Sequence, residues 1–179
     1  MTIVRPASFT KVFFDGVELA RVFDAARSTI PGLPPELEVI IDVDEDAPTT
    51  RMAISSLTPV VFDIESGALE DSRSPRAFGE EAASATFARL LLELRDRWDV
   101  GFAAPPLDAE LSQADRIAWA VHCYGRAGRL GFRVFKPRYR YDYRNRHGFS
   151  DASDANFEAL WSADDLTWKQ IEAITATGG

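Results

Sequence analysis

The residues best equipped for chemistry lie in one stretch, Arg138-Tyr139-Arg140-Tyr141-Asp142-Tyr143-Arg144-Asn145-Arg146-His147. Read as an extended strand, it places Tyr139, Tyr141 and Tyr143 on one face and Arg138, Arg140, Arg144 and Arg146 on the other, because side chains alternate along a strand. Guanidinium forks bind carboxylate or phosphate through paired N–H donors. These four arginines, with His147 at the end of the row, are therefore the candidate anion- or partner-binding residues. The competing expectation is internal. The arginines would then pair with the chain's own surplus acids, the strand over 37–46 being the nearest supply.

A second candidate is the acidic run Asp42-Val43-Asp44-Glu45-Asp46. Hard divalent cations need several carboxylate oxygens, so Asp42, Asp44 and Asp46 at alternate positions could serve Mg²⁺ or Ca²⁺. The D-x-D spacing resembles the nucleophile motif of haloacid-dehalogenase phosphatases, but no companion lysine or acidic-pair motif accompanies it. A solvated strand end whose like charges discourage edge pairing explains the run equally well. The opening helix, Pro-rich turn and acid-bearing strand are loosely similar to small zincin-like metallopeptidases over about 60 residues. Their H-E-x-x-H motif is absent, and the 80–98 segment holds no histidine.

The remaining reactive residues are few. Two histidines, His122 and His147, and one cysteine, Cys123, are the only nitrogen or sulfur ligands available for a soft metal. On a helix His122 falls on the wet side, and Cys123 diverges from it by about 100°. No bound transition metal is expected. A lone cysteine is most often a small core residue. The glycine-rich Gly125-Arg126-Ala127-Gly128-Arg129-Leu130-Gly131 follows a helix, whereas phosphate loops precede one, so it reads as a frayed helix end. Two short helices near the C-terminus are spaced like a helix-turn-helix, but Asp164, Asp165 and Glu172 surround the second and oppose a DNA-reading role.

These residues must be held by recognisable elements. Asp15 as N-cap, with Glu18 three residues on, starts a first helix whose inner face is Leu19, Val22, Phe23 and Ala26; Pro31 and Gly32 stop it. Residues 37–43 alternate as a half-buried strand, with further strands over 52–56 and 59–64. The spacing predicts a helix over 80–98 with Ala83, Phe87, Leu90, Leu91, Leu94 and Trp98 inward and Arg89 and Glu93 outward. A second is expected over 113–127, capped by Ser112. Residues 132–146 read as extended, broken at Pro137. Helices over 154–161 and from 168, the latter capped by Thr167 with Gln170, close the chain. Segregated helices and strands indicate an α+β fold: a single domain over 1–179, a mostly antiparallel sheet covered by helices, and a C-terminal helical hairpin. A joint near 101–110 is the alternative point of subdivision.

Bulk properties narrow the function. With 46% apolar and 27% charged residues, the 179-residue chain can build a core without metal or disulfide. No stretch is apolar for 18 residues and the N-terminus has no signal-peptide core, so no membrane span is expected and the cytoplasm is the expected setting. Seventeen arginines against three lysines suggest a GC-rich, bacterial coding background. The net charge is −8, yet residues 116–147 hold nine basic side chains against the single acid Asp142. Overall acidity disfavours nucleic acid. The reading that results is a non-catalytic binding protein, without cofactor, whose partner is a protein or an anionic ligand met by the Arg/Tyr strand. A divalent-metal-dependent hydrolase built on Asp42, Asp44 and Asp46 is the first alternative, and a nucleic-acid-binding module the second.

Overall fold

A computed structural model describes residues 1–34, 36–103, 107 and 111–176. Residues 104–106 and 108–110, which make up most of the 101–110 joint, lie outside the described residues. The fold is α+β. The described residues divide into two compact units, one formed by those up to Leu91 with Leu107, the other by the remaining ones from Leu92 onward.

In the first unit, strand β1 (Thr2–Arg5) is followed by helix α1 (Gly16–Thr29), then by strands β2 (Val39–Asp44), β3 (Met52–Leu57) and β4 (Val60–Glu65). The sheet order is β1-β2-β4-β3. Both β1–β2 and β2–β4 are parallel, and only β3–β4 is antiparallel. The expected mostly antiparallel sheet is therefore corrected to a mostly parallel one. The physical reason is connectivity. An intervening 14-residue helix lets β1 and β2 run the same way. The tight turn at Thr58-Pro59 folds β3 back on β4 and leaves β3 outermost.

The capping signal at α1 is realised, for Asp15 Oδ1 accepts hydrogen bonds from Val17 N at 2.7 Å and Glu18 N at 3.0 Å. Its buried residues are Leu19, Val22, Phe23 and Ala26, as the periodicity predicts. Phe23 packs edge-on against Phe62 of β4 at 6.0 Å and against Phe87 at 5.4 Å. A small hairpin, β5 (Glu70–Asp71) and β6 (Ser74–Phe78), completes the unit.

Helix α2 (Glu80–Trp98) has the predicted boundaries, and the division between units falls within it, after Leu91. Ala83, Phe87, Leu90, Leu91 and Leu94 are fully buried. So are Arg89 and Glu93, at 6% and 0% exposure, while Trp98 is 39% exposed. The expected wet face of α2 is thus interior, which a polar-out reading cannot anticipate.

The second unit contains α3 (Gln113–Arg129), α4 (Lys136–His147), α5 (Asp151–Ser162) and α6 (Trp168–Ala176). Helix α3 touches the other three. Ser112 caps α3 by accepting from Asp115 N at 3.1 Å. Thr167 and Gln170 form the reciprocal box at α6, with Thr167 N donating to Gln170 Oε1 at 2.8 Å and Gln170 N to Thr167 Oγ1 at 3.4 Å. The glycines of 125–131 do not fray α3, which continues to Arg129. A Cβ at Gly125 would collide with the Trp161 carbonyl, so this glycine permits close approach of α3 and α5. Gly131, with φ 96°, makes the exit.

Candidate functional site

The Arg/Tyr segment is a helix, α4, and this overturns both the strand and its two-faced arrangement. Pro137 sits in the first turn, where its missing N–H costs nothing, so it starts the helix rather than breaking a strand. On a helix, residues four apart share a face. Tyr139 and Tyr143 therefore turn inward together. Tyr139 stacks on Tyr124 at 3.8 Å, and Tyr143 is fully buried against His147 at 4.1 Å and Phe157 at 5.9 Å. Tyr141 points away, 59% exposed.

The candidate cations divide in the same way. Lys136, Arg140 and Arg144 form one row on the side of α4 next to α5. Lys136 Nζ donates to Glu158 Oε2 at 2.6 Å, and Arg140 donates to the other oxygen of Glu158. Arg144 forks onto Asp154, its Nε 2.6 Å from Oδ1. Hydrogen bonding to Asp154 raises the Arg144 pKa, and the same bond lowers that of Asp154. Burial pushes Glu158 up, but Lys136 and Arg140 outweigh it and hold the carboxyl below its ordinary value. Arg138 and Arg146 are exposed, and no ion pair reaches either among the described residues. His147 is half-buried with Nε2 3.1 Å from the Ala114 carbonyl; burial lowers its pKa. Its ring stacks on Tyr143.

Beside the cation row the surface is aromatic. Phe149, 66% exposed, meets Tyr141 edge-on at 6.1 Å, and the Arg144 guanidinium lies 5.9 Å from the Phe149 ring. An open cleft of about 420 Å³ is lined by Lys136, Pro137, Arg140, Tyr141 and Arg144. A smaller one beyond it is lined by Arg144, Phe149, Ser150, Asp151 and Asp154. Arg144 thus borders both.

No family model, curated protein or solved structure matches this chain.

The acidic run takes a different part. Asp42 and Asp44 are exposed on β2, in register with Asp63 and Glu65 on β4. Asp44 Oδ1 accepts from Asp46 N at 2.9 Å, and Asp46 pairs with Lys11. Glu45 accepts from Thr10 N and Lys11 N, both at 2.8 Å; these backbone donors lower its pKa. The run thereby fastens the loop that follows β1. Among the described residues no three His, Cys, Asp or Glu side chains are grouped to hold a metal ion.

Two polar clusters escaped the periodicity argument. In the first unit, Ser66 Oγ lies 3.1 Å from both the Ala47 carbonyl and Glu70 Oε1. Arg76, at φ 66°, donates its N–H to Glu70 Oε2 at 2.8 Å and Nη1 to the Glu45 carbonyl at 3.1 Å. In the second unit, Asp96 accepts from Arg126 at 2.7 and 2.5 Å and from Trp119 Nε1 at 2.9 Å. Cys123 is buried with Sγ 3.1 Å from Arg126 Nη2. His122, expected on the wet side, is fully buried, with Nδ1 3.2 Å from the Leu160 carbonyl. For Asp96 and Arg126 the signal available was a charge among the apolar residues of a helix, which alternation and capping rules do not use; the hairpin cluster carried no such signal.

Proposed function

We propose that the chain is a non-catalytic binding protein whose contact surface is the exposed side of α4 together with Phe149. The observation that carries this reading is the pair Tyr141–Phe149, two exposed rings held edge-on beside a cation-lined cleft. Rigid aromatic area flanked by arginine is the composition of interaction hot spots. Intramolecular pairing of Arg140 and Arg144 also bears on the partner. Each already meets a carboxylate of α5, so a partner reaches these side chains through the donors that those pairs leave over, and the net charge of −8 favours a polypeptide over nucleic acid. No helix among the described residues is long and apolar enough to cross a membrane. The single buried cysteine is compatible with a reducing, cytoplasmic setting.

The test is a peptide-display selection on the immobilised wild-type chain and on Tyr141→Ala/Phe149→Ala. Both side chains are exposed, so the variant should fold. Sequences enriched by the wild type and lost on the variant are the expected result. Equal enrichment on both, or none on either, overturns the reading.

A further inference from the structure

Resting on that reading, we infer that the partner segment is an extended acidic peptide with carboxylates at alternate positions, lying along the row Lys136, Arg140 and Arg144. The argument is one of register. Residues four apart on a helix rise by about 6 Å, so the three cations stand at about 6 Å intervals along α4. Alternate side chains of an extended chain are separated by about 6.6 Å and point the same way. Over the two intervals the mismatch is about 1 Å, within the reach of flexible lysine and arginine side chains.

Charge and donor count agree with this occupant. The larger cleft is lined by three cations, which share two carboxylates, Glu158 and Asp154. One carboxylate, Glu158, answers both Lys136 and Arg140. Arg140 Nε is buried without a hydrogen-bond partner among the described residues. Lysine has three donors and arginine five, so the row retains donors after its contacts to α5 are made. The exposed Arg138 adds a further positive charge on the same helix. Long-range repulsion from a chain of net charge −8 grows with the ligand's own charge. A segment with three or four carboxylates is penalised far less than a polyphosphate.

The experiment titrates the full chain, at low salt, with four probes of similar length, followed by amide chemical shifts. The first is a capped peptide in which four serines alternate with four glutamates. The second is its block isomer, with the serines together and the glutamates together. The third alternates serine with lysine, and the fourth is a short oligothymidylate of matching charge. The alternating acidic peptide should bind tightest and move resonances of 136–149. Lys136→Gln/Arg140→Gln should weaken it by about tenfold or more, the scale of one lost charge-assisted hydrogen bond. A circular-dichroism spectrum and melt confirm that this variant is folded; should it not be, Arg138→Gln, at an exposed position outside the ion pairs, replaces it with a smaller expected loss. Binding of the block isomer or the oligothymidylate as tight as that of the alternating acidic peptide overturns the inference, as does no binding. If the display selection succeeds through Tyr141 and Phe149 while the alternating acidic peptide does not bind, the acidic register fails and the binding surface stands.

Discussion

Arg126 and Asp96 meet inside the second unit, two guanidinium nitrogens lying 2.7 and 2.5 Å from the two carboxylate oxygens, with both side chains at least nine-tenths buried. The same carboxylate holds Trp119 Nε1. Removing one partner strands a buried charge, so Arg126→Ala is expected to cost about 3–5 kcal/mol. Urea unfolding checks this. Asp96→Leu with Arg126→Met should cost much less than the two single changes together, since no unpaired charge remains. Additive costs would show that the pair is not coupled.

Leu91 is fully buried at the middle of α2. Leu91→Ala is expected to destabilise by about 2–5 kcal/mol, the lost transfer energy plus the cavity left behind. An unchanged urea midpoint would contradict the burial.

Gly125 marks a close approach of α3 to the end of α5, where a Cβ would run into the Trp161 carbonyl. Its φ is not in the left-handed region, so the requirement is space and not conformation. Gly125→Ala should cost about 1–3 kcal/mol by forcing the helices apart, against a small gain in helix propensity. Gly131→Ala offers a contrast, since open space surrounds it and its cost comes from φ 96° alone. Melting curves of both variants check the distinction.

His122 predicts a pH dependence. Burial, and then the charge of Arg126, push its pKa down to about 4, while the Leu160 carbonyl and Asp96 resist. In the unfolded chain the ring titrates near 6.5. Above that value it is neutral in both states and the full stability is present. As pH falls from about 6.5 to about 4 the unfolded chain takes up the proton first, and up to about 3 kcal/mol is lost. His147, lowered chiefly by burial, acts in the same direction. Comparing urea midpoints at about pH 7 and about pH 4.5 in wild type and His122→Gln isolates the effect. The variant should show the smaller fall.

Thr167 tests a local signal. Thr167→Ala should cost about 0.5–2 kcal/mol by freeing the Gln170 N–H that its hydroxyl accepts. Differential scanning calorimetry reads this directly, and an unshifted transition would count against the cap.

What was legible in the sequence was whatever depends on neighbours along the chain. The caps at Asp15, Ser112 and Thr167 are side chains reaching N–H groups two or three residues on, so their identity is enough. The inner face of α1 and the boundaries of α2 follow from a 3.6-residue period. At the candidate site the residue types were legible and their arrangement was not. Alternating Arg and Tyr satisfies period 2 and also, through Tyr139 and Tyr143, period 4; packing of those two rings against Tyr124 and Phe157 decided for the helix. That choice moved Tyr141 outward and gave Arg140 and Arg144 to Glu158 and Asp154. Only tertiary structure could bury Asp96, Arg126 and His122, because a charge is tolerated inside when its partner arrives from another helix, 30 residues away for Arg126 and Asp96. The parallel sheet has the same origin. The helix between β1 and β2 permits a parallel pair, but that β2 also pairs in parallel with β4, with β3 placed outside, is decided by which edge each returning strand finds.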